Sequence, residues 1–197
     1  PPGAAVGKDP AVYDIRQALP ASMQGDIPDD DNPWQPCDCV RDLPIDDAHG
    51  PYPVVLFVHG TASFRHQSLT AATHWASRGF VVVAADHPGL MLGDFLAQLC
   101  PDDPSGEQDL SGDLDAEIAA LAAPAGDLGF LAGSIDAGRI GVIGHSAGAG
   151  AAAAAADKPG VRVVIALAGN AATSASPSLE QTLYMGGLSD GIVQWSA

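Results

Sequence analysis

The chain is short of positive charge. Its 197 residues include 8 lysines and arginines against 24 aspartates and glutamates, a formal net charge of −16. Such a surface repels phosphate backbones and anionic headgroups, so nucleic acid and acidic membranes are excluded as natural partners. Long apolar runs are also missing. No stretch reaches the roughly 18 apolar residues that a membrane-spanning helix needs. The opening "PPGAAVG" has no basic segment followed by an apolar one, so it carries no leader signature. Acidic clusters such as "DIPDDDNP" lack the spaced ligands of a calcium loop and read as solvated loops.

Cysteine is scarce. Cys37, Cys39 and Cys100 make no Cys-x-x-Cys pair, and their spacing does not suggest zinc. Cys37 and Cys39, with one residue between them, are too close to bridge each other comfortably. One of them is free to bridge to Cys100, which leaves the other over. The sequence suggests a secreted or periplasmic protein, and an odd count there points to a partner cysteine elsewhere.

Against these absences, 47% of the residues are hydrophobic, enough for one sizeable core and about one domain. Residues 1–50, rich in Pro and Asp, read as peripheral strands and loops. Residues 51–197 read as the core of a single domain. "YPVVLFVHG", "FVVVAAD", "RIGVIG", "VRVVIALAG" and "TLYMGG" are apolar, β-branched runs of the kind buried on both faces of a parallel sheet. Between them, "SLTAATHWASRGF" has helical spacing and stops at Gly79. "EQDLSGDLDAEIAALAA" places Leu110, Leu114, Ile118 and Leu121 on one helical face. "SAGAGAAAAAAD" reads as a helix of very small residues. Residues 87 to about 106 read as a long loop. The alternation predicts an α/β fold with a mostly parallel central sheet and helices on both faces.

"GHSAG" lies between a predicted strand and a predicted helix. In that context Ser146 sits on a sharp turn that lifts its hydroxyl above the sheet. The N–H of Ala147, opening the helix, is placed to meet a developing oxyanion. His145 should point away from the nucleophile and be packed or hydrogen-bonded. "FVHGTASFR" ends a second strand, and the residue after His-Gly, Thr61, is the candidate for the other oxyanion donor. His59 reads as a brace for that loop. Asp190, in the loop after "LYMGG", follows Ser146 in the order serine, acid, histidine. Its task would be to orient an imidazole and stabilise its charged form. Asp157, at the end of the helix after Ser146, is a weaker rival.

These blocks, "GPYPVVLFVHGTASFR", "WASRGFVVVAADHPG", "IDAGRIGVIGHSAG" and "LYMGGLSDGIV", resemble α/β-hydrolases. The similar branch contains the bacterial cutinases, polyester hydrolases and platelet-activating-factor acetylhydrolase-like lipases. The resemblance runs over roughly residues 50–195 and implies the α/β-hydrolase fold, Ser146 as nucleophile, Asp190 as acid, and Thr61 and Ala147 as oxyanion donors. It implies hydrolysis of a small-molecule or polymeric carboxylic ester through an acyl-enzyme, with no metal and no organic cofactor. Cutinases often carry a Tyr near Thr61 and a Trp where this chain has "GNAATS". The resemblance therefore leaves Phe64 and Trp195 as the candidate aromatic lining of the cleft. Dienelactone hydrolases, with Cys at the nucleophile position, fit less well. An amidase or peptidase using the same triad and a non-catalytic scaffold are the alternatives.

One absence remains. The resemblance calls for a histidine after Asp190, yet only "GIVQWSA" follows, and all six histidines precede it. His87 is the one substitute within the chain. The expectation is a hydrolase cleaved after Ala197, whose C-terminal piece of roughly 60 to 100 residues carries the last strand, the base and a cysteine. A truncated chain would lack the histidine for the same reason, and a pseudo-enzyme would have no need of it. Ending at the fifth strong strand would leave an apolar sheet edge open.

Overall fold

The computed structural model describes residues 3–99 and 106–194. Cys100 and Trp195 lie outside them. The strands are β1 (Val12–Tyr13), β2 (Gln35–Pro36), β3 (Tyr52–Val58), β4 (Val81–Ala84), β5 (Ile135–His145), β6 (Val161–Leu167) and β7 (Gln181–Met185). The helices are α1 (Ala21–Gln24), α2 (Leu69–Ser77), α3 (Leu92–Ala97), α4 (Leu110–Ala122) and α5 (Ala147–Ala154). β3 to β7 form one parallel sheet in the order β4-β3-β5-β6-β7. β1 and β2 make a separate antiparallel pair.

The middle of the sheet carries buried residues on both faces, which is why β3, β5 and β6 read as apolar runs. Val54, Leu56, Val58, Ile140, Val142 and Val164 face one side, under Leu114 and Leu121 of α4 and the alanines of α5. Val55, Phe57 and Ile143 face the other, where Trp75 of α2 covers them. α5 is almost pure alanine because it lies hard against the strands: Ala149 and Ala152 are fully buried. A side chain on Gly169 would overlap the Ala149 methyl. Local signals bound two of the helices, the Gly79 stop of α2 among them as the sequence predicts. Asp109 caps α4 by accepting the Gly112 N–H at 3.0 Å, and Gly79 leaves α2 at φ +89°.

Two expectations are corrected. The first concerns cysteine: Cys37 and Cys39 are bridged to each other. A bend across Asp38 brings their Cα atoms to 5.1 Å, inside the range a bridge needs, and side chains two residues apart share a side. The second concerns the long loop after β4, which contains α3. This short helix is set by a tertiary anchor and not by its own periodicity. The buried Asp94 carboxylate accepts the N–H groups of Gly89 at 2.7 Å, Met91 at 3.2 Å and Gly106 at 2.7 Å, drawing both ends of the loop together.

Two surfaces stay open. Beside α2, a groove of about 480 Å³ is lined by Val55, Trp75, Ile143, Val163 and Ile165. At the sheet edge β7 leaves Leu183 48% and Met185 53% exposed.

Strand order fixes the position of the site. From β3 the chain moves outward to β4, then returns to form β5 on the other side of β3. Such a reversal opens a crevice at the C-terminal ends of the strands, where ligands bind in open α/β sheets. "HGTAS" leaves β3 and "HSAG" leaves β5 at that reversal.

Candidate active site

Ser146 has φ 55° and ψ −118°, a conformation that L-residues rarely adopt and that persists only when its surroundings impose it. Here they do. A Cβ on Gly144 would overlap the Gly148 carbonyl, and one on Gly148 would overlap the carbonyls of Val58 and His59. Both glycines of the motif are therefore required by contact. The Ser146 N–H donates to the Leu167 carbonyl at 2.9 Å, and its own carbonyl accepts from Ala149 at 2.9 Å. Ser146 remains partly exposed. Ala147 begins α5, so its N–H is one of the first-turn donors that a helix leaves without an internal acceptor.

The loop after β3 lies directly against this turn. A Cβ on Gly60 would stand 3.2 Å from the Ser146 Cβ and 2.9 Å from His145 Nδ1. The Gly60 N–H donates to Gln67 Oε1 at 2.9 Å, and the Ala62 N–H to the Leu90 carbonyl at 2.9 Å. Thr61 lies between them, exposed, and its N–H meets no acceptor among the described residues. Thr61 thus offers a free amide, flanked by two that are tied down.

His59 is fully buried under this loop. Its Nε2 accepts the His87 N–H at 3.2 Å, so its proton sits on Nδ1, which donates to the Gly60 carbonyl at 2.8 Å. Burial pushes its pKa down. A neutral ring used at both nitrogens is a brace. His145 is hydrogen-bonded, with Gln67 Nε2 at 2.8 Å from its Nδ1.

Asp190 stands in the loop after β7. Its Oδ1 accepts the N–H groups of Ile192 and Val193, both at 2.9 Å. These backbone bonds, first that of Val193, hold its carboxyl below the usual carboxylate range, and the nearby His145 lowers it further. Oδ2 takes no part in either bond. Asp157, the weaker rival, accepts from the Ser174 hydroxyl at 3.3 Å. Phe64 packs edge-on to His66, with ring centroids 6.2 Å apart, and lines a small crevice with Asp14 and Ile15.

None of the six histidines hydrogen-bonds to the Ser146 hydroxyl. His87, the in-chain substitute, is buried, with Nδ1 3.0 Å from Asp113 Oδ2 and with Nε2 lacking any partner among the described residues. Sequence reading missed this pair and the Gln67 bonds, since neither has a spacing signature. No group of three or more His, Cys, Asp or Glu among the described residues converges to hold a metal ion.

The alpha/beta hydrolase family profile matches residues 55–196, which takes in the Gly60 loop, the Ser146 turn and the Asp190 loop. The chain belongs to the alpha/beta hydrolase family. Two solved structures are similar to this alpha/beta hydrolase. One is a ferulic acid esterase from Streptomyces cinnamoneus, at 27% identity over 64% of this chain and 39% of that one, with a TM-score of 0.49. The other is a 2,6-dihydroxy-pseudo-oxynicotine hydrolase, at 17% identity over 82% of this chain and 37% of that one, with a TM-score of 0.46. The chain spans under half the length of either. No curated protein matches it.

Proposed function

We propose that this alpha/beta hydrolase is a serine esterase acting on carboxylic esters, in the branch of cutinases, polyester hydrolases and related lipases. The observation that carries the reading is the strained Ser146 turn packed against the loop that holds the free Thr61 amide. Ser146 Oγ attacks the ester carbonyl carbon while a histidine takes the hydroxyl proton. The carbonyl oxygen becomes an oxyanion held by the N–H groups of Thr61 and Ala147. Collapse expels the alcohol, which leaves with the proton returned by the histidine. Water, activated by the same histidine, then releases the acid and regenerates Ser146. Asp190 accepts from the imidazole through its open Oδ2 and stays ionised throughout.

The histidine comes from a C-terminal segment outside this chain. Two observations support that. No histidine here reaches Ser146. The groove beside α2 and the β7 edge leave apolar surface that a further strand and helix would cover. The Cys37–Cys39 bridge supports a secreted or periplasmic location, since disulfides persist in oxidising compartments.

The test compares p-nitrophenyl esters with p-nitroanilides of the same acyl group, using protein that includes the C-terminal segment. Ester turnover that disappears in Ser146→Ala supports the reading. Preference for the anilide would make the protein an amidase, and no turnover of either would leave a non-catalytic scaffold.

A further inference from the structure

We propose that Gln67 is a positioning residue for the oxyanion hole, clamping the Gly60–Thr61 loop to the Ser146 turn; this rests on the serine-esterase reading. Two bonds carry it. Gly60 N–H donates to Gln67 Oε1 at 2.9 Å, and Gln67 Nε2 lies 2.8 Å from His145 Nδ1. The chemistry of the first fixes the second. A backbone N–H only donates, so the amide oxygen of Gln67 must face Gly60. Its NH2 then faces His145, and the Nδ1 it meets must be an acceptor. The proton of neutral His145 therefore sits on Nε2.

The placement of this clamp gives it a role beyond packing. Gln67 leaves β3 on the same loop as Gly60, with its own N–H tied to the Phe64 carbonyl at 2.9 Å. His145 is the residue immediately before Ser146. The side chain thus joins the two loops that present the Thr61 and Ala147 amides. Gly60 stands between them, close enough that a Cβ there would touch Ser146. With Gly60 held by Gln67 and Ala62 by Leu90, the free Thr61 amide is fixed from both sides. Its distance from the Ala147 amide is then set before substrate arrives. Those amides bind the transition state more strongly than the ground state, so loosening the clamp should cost turnover and leave substrate affinity nearly intact.

The experiment replaces Gln67 by methionine, which keeps the volume and removes both hydrogen bonds, in protein that includes the C-terminal segment. Hydrolysis of p-nitrophenyl butyrate should show kcat lower by roughly 10- to 100-fold, with KM within about threefold. Wild-type kcat, or a loss confined to KM, would overturn the proposal. A second measurement needs no turnover. Imidazole nitrogen NMR of the wild type should show His145 protonated at Nε2 and bare at Nδ1. Gln67→Glu should move that proton to Nδ1, because the second carboxylate oxygen can only accept. Nδ1–H in the wild type would overturn the clamp. Turnover retained in Ser146→Ala would overturn the esterase reading and the positioning role together. A dead Ser146→Ala beside an unimpaired Gln67→Met would overturn the positioning role alone.

Discussion

Gly60 and Ser146 are packed so closely that a methyl group on the glycine would stand 3.2 Å from the serine Cβ. That contact joins the loop after β3 to the turn after β5, and it makes Gly60 a direct test of the site's geometry. Gly60→Ala must displace either the loop or His145, whose Nδ1 would be only 2.9 Å away. Overpacking of this kind costs about 1–3 kcal/mol of stability. The displaced Thr61 amide should lower kcat by roughly 10- to 100-fold. Urea unfolding and steady-state ester hydrolysis measure the two effects separately.

Asp190→Asn separates charge from structure. The asparagine Oδ1 can still accept from Ile192 and Val193, so the loop should keep its shape. What is lost is the carboxylate proposed to orient the imidazole, and kcat should fall by roughly 10⁴-fold. In the wild type the carboxyl lies below its ordinary value and is ionised wherever a histidine titrates. The acid limb of the kcat/KM profile should therefore follow the histidine. A limb that tracked Asp190 would place the acid elsewhere.

The buried His59 predicts a loss of stability on mild acidification. Its folded pKa lies below the ordinary value of 6.5, because burial penalises the charged ring. The unfolded chain then binds the extra proton first. The stability held by neutral His59 is complete above pH 6.5 and is lost as pH falls through that value towards the folded pKa. Urea midpoints from pH 7.5 down to 5 should fall, and His59→Asn should fall less steeply, whatever its starting stability. Equal slopes would contradict the bracing role.

The open edge of β7 predicts self-association of this chain by itself. Leu183→Lys with Met185→Thr should reduce the fast-sedimenting fraction in analytical ultracentrifugation. If the proposed C-terminal segment covers these side chains, the same pair should destabilise protein that includes it. Stabilisation there would argue that β7 is a true edge.

Much of this fold was legible because the central parallel strands are apolar on both faces. "YPVVLFV" and "RIGVIG" could be read as central strands before their neighbours were known. The Ser146 turn was legible for a related reason: Gly144 and Gly148 are demanded by backbone contact, so the motif is a packing requirement written into sequence. α3 was not legible, since it is six residues long and held by Asp94 across a loop. The Cys37–Cys39 bridge was not legible either, because chain separation alone does not show the bend across Asp38. Gln67 carried no signal at all. Its partners Gly60 and His145 are 7 and 78 residues away, and only the β3–β5 pairing brings them together.

The central claim is that Ser146 is a nucleophile completed by a histidine outside this chain. The most direct measurement is the denatured intact mass of the protein, C-terminal segment included, after exposure to a fluorophosphonate. The account predicts a single adduct that maps to Ser146, is absent in Ser146→Ala, and fails to form when the C-terminal segment is removed. No adduct with every segment present, or an adduct that survives Ser146→Ala, would contradict it.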